Sequence, residues 1–84
     1  MRNGEEAIGL AERAAKLTAG KNAGVLDALS VAYAEAGRFP EAVRAARQCL
    51  ALAARQGDAS LAQAVTSRIA LFEAGTAFRE TRRR

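Results

Sequence analysis

Apolar residues recur at three- and four-residue intervals in four separate stretches of the chain, each closed by a glycine-containing break. In the first stretch Ala7, Ile8, Ala11, Ala14, Ala15 and Leu17 share one face of a helical period. Asn3 stands three residues before Glu6, the form of a capping box in which each side chain satisfies a backbone N–H of the first turn. A helix over about residues 4 to 18 is predicted. Thr18 to Asn22 interrupts the pattern, with Gly20 as the natural left-handed exit. A second helix follows over about residues 23 to 36, with Leu26, Leu29 and Tyr33 on one stripe and Gly37 as its stop. Pro40 fits the first turn of a third helix, where its missing N–H has no intrahelical partner to lose. The stripe of that helix is Ala42, Val43, Ala46, Cys49, Leu50 and Ala53, and Gly57 ends it after Gln56. Ser60 and Gln63 form a second capping-box pair, opening a fourth helix over about residues 58 to 75 that stops at Gly75. No stretch alternates apolar and polar residues as a strand does. The prediction is an all-α chain of about four helices in antiparallel hairpins.

The pattern also repeats. Residues 5 to 8 match residues 40 to 43, and Ala11, Ala14 and Leu17 match Ala46, Cys49 and Leu52, all at an offset of 35. Val31 to Gly37 matches Ile69 to Gly75 at an offset of 38. The first helix therefore reads as a relative of the third, and the fourth as a degenerate relative of the second.

Leu26, Leu29, Ser30, Tyr33, Ala42 and Ala46, with Ala54 at the position of a final proline, carry the spacing of a tetratricopeptide repeat. Over about residues 4 to 75 the chain resembles that family. The resemblance implies a TPR-like α-solenoid: a half repeat, a full repeat over 23–56 and a capping helix over 58–75, within a single domain over 1–78. Leu71 to Glu80 also resembles the last turn of several bacterial tetratricopeptide proteins, which implies the C-terminal end of an array.

In that family the first helix of each unit lines a concave peptide groove. Carried over, the groove shows Gly24, Asp27, Ala28, Val31, Ala34 and Glu35 from the full repeat. The degenerate unit adds Ala62, Val65, Thr66, Ile69, Phe72 and Glu73. Members that clamp a C-terminal carboxylate place Lys and Asn where this chain has Asp27 and Val31, so the clamp is missing. Val31, Ile69 and Phe72 among Asp27, Glu35 and Glu73 suit an apolar or basic segment. The alternative is that Ile69 and Phe72 merely close the core. The partner implied is another protein or peptide, or preceding repeats of a longer array. Ala7, Leu10, Ala11 and Ala14 on the first helix lack the partner helix that the family supplies, so the first helix is expected to pair two copies into a homodimer. The last helix offers Ala64, Ser67, Arg68 and Leu71 as a polar cap.

Charge and chemistry narrow the function further. The formal charge of +4 and the pI near 10.2 suggest a nucleic-acid binder. Residues 79 to 84 hold four of the Arg and one Glu, however, leaving 9 basic against 8 acidic residues in the body. Arg79, Arg82, Arg83 and Arg84 form a basic tail, expected to be disordered. Without an interleaved aromatic or a basic helix beside it, weak binding to nucleic acid or an anionic surface is the lesser reading. The chain has no His, the usual general base and commonest metal ligand. Cys49 replaces Ala14 one unit later and reads as a small packed residue, and Glu5 and Glu6 suit a helix start. A non-enzymatic chain without catalytic residues, cofactor or metal is expected. No apolar run reaches the ~20 residues of a membrane span, and the first residues lack a signal-peptide core. Both observations make cytoplasmic the expected location.

At 84 residues with 22 Ala, the chain has strong helix propensity and little bulk to bury. A thin core of small side chains follows.

Overall fold

The computed structural model describes the backbone of residues 2–82 and the side chains of residues 5–75. All regular structure among the described residues is helical: α1 (Arg2–Leu17), α2 (Ala23–Glu35), α3 (Phe39–Gln56) and α4 (Ala59–Arg82). Turns of five, three and two residues join them. Each helix packs mainly on its neighbours in sequence, α1 on α2, α2 on α3 and α3 on α4. The result is a flat body of 43 × 25 × 14 Å.

The helix ends follow local chemistry. After α2 the Arg38 amide donates to the Tyr33 carbonyl at 2.8 Å and the Gly37 amide to Ala34 at 3.0 Å. After α3 the Asp58 amide donates to Ala53 at 2.9 Å and the Gly57 amide to Ala54 at 3.2 Å. Both closures are Schellman motifs, and both put glycine in the left-handed region, at φ of 80° and 74°. The first turn makes the same pair of bonds, from Gly20 to Ala15 and from Ala19 to Lys16. Here the residue at the left-handed capping position is Ala19, φ 54°, with Gly20 following at φ 67°. The expected glycine exit is thus displaced by one residue onto an alanine, at a cost of about 1–2 kcal/mol. Thr18 helps hold this turn by donating its hydroxyl to the Ala14 carbonyl at 2.9 Å.

Three expectations at helix ends are corrected. The α1 backbone begins at Arg2, so Asn3 lies inside the helix instead of capping it. The cap of α4 is Asp58, whose carboxylate accepts from the Leu61 amide at 3.1 Å, and Ser60 is already in the first turn. Asp ranks with Ser as a capping residue, and placing it right after Gly57 lets one short turn close α3 and open α4. Finally, α4 does not stop at Gly75 but continues to Arg82. A single helical glycine costs only about 1 kcal/mol relative to alanine, and no proline follows it. Gly75 also lies against the Phe39 ring, which stands 3.1 Å from where a Cβ would sit. Arg79 and Arg82 are therefore within the α4 backbone. Their side chains, with Arg83 and Arg84, lie outside the described residues.

Asn22 caps α2 in the same way, accepting from the Val25 amide at 3.1 Å, and Pro40 sits in the first turn of α3 as expected. Replacing Asp58 by alanine is expected to cost about 1 kcal/mol in denaturant unfolding, while Ser60→Ala stays within about 0.5 kcal/mol. A larger loss for Ser60 than for Asp58 would reverse the assignment of the cap.

The core centres on α3. Ala42, Ala46 and Cys49 have no exposed surface, and they meet Ala23 and Leu26 of α2 on one side and Val65 and Phe72 of α4 on the other. Tyr33, Phe39, Leu50 and Ile69 pack around this cluster. Small residues on the central helix let both neighbours approach closely, which is how so alanine-rich a chain builds an interior. Ser30 is fully buried but satisfied, its hydroxyl donating to the Asp27 carbonyl at 2.7 Å. Antiparallel packing is visible in the contacts. Cys49, late in α3, donates its thiol to the carbonyl of Ala23 at the start of α2, and the Phe39 and Phe72 rings, at the start of α3 and far along α4, lie 6.5 Å apart.

Candidate functional site

The α1–α2 hairpin leaves an apolar groove on its surface. Ile8 is buried and anchors α1, so Ala7, Leu10 and Ala11, its neighbours around the turn, face the space beside the seam. Ala28, Val31 and Ala32 form the facing wall on α2, with the exposed Glu35 at its C-terminal end. The groove is shallow and open to solvent, with a volume of about 540 Å³. Leu10 is 67% exposed in it, and Leu17, two turns on, is 81% exposed.

The structure divides the predicted groove residues. Val31 and Glu35 line the α1–α2 groove. Phe72 is 9% exposed within the core, and Ile69 and Ala34 are half-buried against it. Phe72 and Ile69 thus close the core, because the α3 face opposite them carries small residues that leave room for one ring and one branched chain. The acidic candidates are engaged as well. Asp27 pairs with Arg68, which ties α2 to α4 and takes Arg68 out of the polar face expected for the last helix. Glu73 pairs with Arg47 of α3 at 2.7 Å. Of the self-association residues, Ala7, Leu10 and Ala11 share the groove with Val31, and Ala14 is half-buried further along α1. Two surfaces that look separate along the chain therefore meet in one place. The remaining large exposed apolar side chain among the described residues is Leu71 of α4, at 68%.

Tyr33 joins α1 to α2 from the other side, its hydroxyl donating to Glu12 at 2.6 Å, with the Arg38 guanidinium 5.0 Å from its ring centre. The hydrogen bond to Glu12, then burial, push the phenol above its ordinary value. Burial likewise pushes the Cys49 thiol up, with Asp27 adding to the effect. A buried thiol held protonated is a poor nucleophile. Among the described residues no cluster of three His, Cys, Asp or Glu gathers as a metal site would need, and no helix is long and apolar enough to cross a membrane. What this arrangement can do is hold an apolar side chain or helix against α1 and α2. No family model, curated protein or solved structure matches the chain.

Proposed function

We propose that the chain is a tetratricopeptide-type repeat module, an α-solenoid fragment that binds another protein and performs no chemistry of its own. The observation that carries this reading is the apolar α1–α2 groove, in which Leu10 is exposed beside a half-buried Val31. A groove between two helices is a common seat for an amphipathic helix, and Glu35 at its end favours a ligand with a basic flank. Two further features support it. Ala42, Ala46 and Cys49 are fully buried at the positions where the repeat resemblance wants small residues, and successive helices stack on their sequence neighbours as repeat units do. Reading α4 as a finished polar cap fits less well with an exposed Leu71 on its outer face.

The test is titration with synthetic amphipathic helical peptides that carry a basic flank. Binding is expected in the micromolar range, with Val31→Arg weakening it at least about tenfold, the effect of losing roughly 1.4 kcal/mol. Arg55→Ala, at an exposed site late in α3, should leave it unchanged. A panel without Val31-dependent binding would overturn the groove as a protein seat.

A further inference from the structure

The α1 wall of the α1–α2 groove has a covered counterpart inside the same chain. Moved by 35 residues, Ala7, Leu10 and Ala11 of this wall become Ala42, Ala45 and Ala46 of α3, all buried. Moved by 38 residues, Ala28, Val31, Ala32 and Glu35 of the α2 wall become Thr66, Ile69, Ala70 and Glu73 of α4, of which Ile69 is half-buried and the others exposed. The α3 wall of this counterpart is covered by α2: Ala23 and Leu26 join Ala42 and Ala46 in the core, and Tyr33 borders the same cleft as Ala45, while Asp27 reaches Arg68 of α4. The α1 wall of the open groove is thus an uncovered copy of the α3 surface on which α2 lies, and it suits a helix of that kind. The helix that repeats the α2 pattern is α4, whose exposed Leu71 stands at the position of Tyr33.

We propose that the chain assembles head to tail, with α4 of one copy lying in the α1–α2 groove of the next. Within one chain α2 and α3 stand between α4 and α1, so the groove is filled by a second copy. Leu71 of one copy then meets Leu10 of the next, in the relation that Tyr33 has to Ala45 inside the chain. Charge favours the same arrangement. An antiparallel α4 runs past Leu71 toward the start of α1, where Glu5 and Glu6 are exposed, and the last six residues of the chain hold four Arg against one Glu. The two contacting surfaces are different, so each copy keeps one free end and growth continues past the dimer. This proposal rests on the groove being a protein seat, and it differs from the two-fold pairing of α1 faces expected from the sequence.

Sedimentation velocity over a concentration series should show a weight-average mass that rises beyond a dimer. Leu10→Arg and Leu71→Arg, both at exposed sites, should each give a monomer. Mixed in equal amounts they should form a one-to-one heterodimer, because each variant retains the surface that the other lacks. Independently of these charges, Leu10→Cys and Leu71→Cys oxidised together should crosslink into the mixed dimer in preference to either homodimer, the native Cys49 being buried. A plateau at dimer that Leu71→Arg leaves intact, or a mixture that stays monomeric and does not crosslink, overturns the head-to-tail contact. A monomeric wild type that still binds the basic peptide through Val31 overturns the assembly and leaves the groove as a seat for another protein. A monomer without Val31-dependent binding overturns both.

Discussion

Phe72→Ala is expected to be the most damaging of the single truncations, costing about 3–5 kcal/mol of folding stability. Phe72 is buried with Val65, Cys49 and Ala46 and lies tilted against Phe39, with 42° between the ring planes. Removing the ring leaves a void that the surrounding alanines have no length to fill, so little of the loss is recovered by collapse. A domain of this size has about 4–13 kcal/mol in total, and the melting temperature should fall by roughly 12 °C or more. Val31→Ala, in the open groove, is expected to cost less than about 1 kcal/mol. Comparable losses at the two positions in parallel thermal melts would mean that Phe72 is a surface residue, and would return it to the peptide groove that the repeat resemblance implies.

The second large effect comes from adding atoms. Ala42→Leu is expected to cost about 1–3 kcal/mol, because Ala42 has no exposed surface and α2 and α3 would have to separate or twist to admit three more carbons. The same substitution at Ala7, 35 residues earlier on the equivalent helix face, is expected to change stability by no more than about 0.5 kcal/mol. Chemical denaturation of both variants measures the difference directly. Equal effects would show that the two positions are covered alike, contrary to a filled seat on α3 and an empty one on α1. The pair thereby separates the packing of this chain from the internal repeat of its sequence, which treats Ala7 and Ala42 as the same residue.

Helix content and most helix boundaries were legible along the chain because they depend on interactions spanning one turn. Gly37, Gly57 and Pro40 mark their boundaries by backbone geometry alone, and the stripe from Ala42 to Ala53 announces a buried face wherever the helix ends up. The errors fall where two local signals compete. Ser60 and Asp58 both qualify as a cap, and the position of Gly57 decided for Asp58. Gly75 is a stop by propensity, yet it lies against Phe39, which approaches from another helix, and α4 passes through it. The candidate site was legible in the same limited way. Its residues could be named, since Leu10, Ala11 and Val31 stand out on helix faces. Which of them stay open depends on what lies opposite, and that is set by contacts between residues far apart in sequence.

The amino-acid sequence by itself determined that this protein is helical, that its third helix carries the small residues of an interior, and that its halves echo one another. Each of these follows from propensity and periodicity within a few residues. Only the tertiary structure decided that Ile69 and Phe72 turn inward and that Arg68 and Arg47 take up Asp27 and Glu73. It also decided that α1 keeps Leu10 exposed beside Val31. The same helix face is core when a second helix lies on it and surface when none does, and nothing in a single helix's own pattern distinguishes the two.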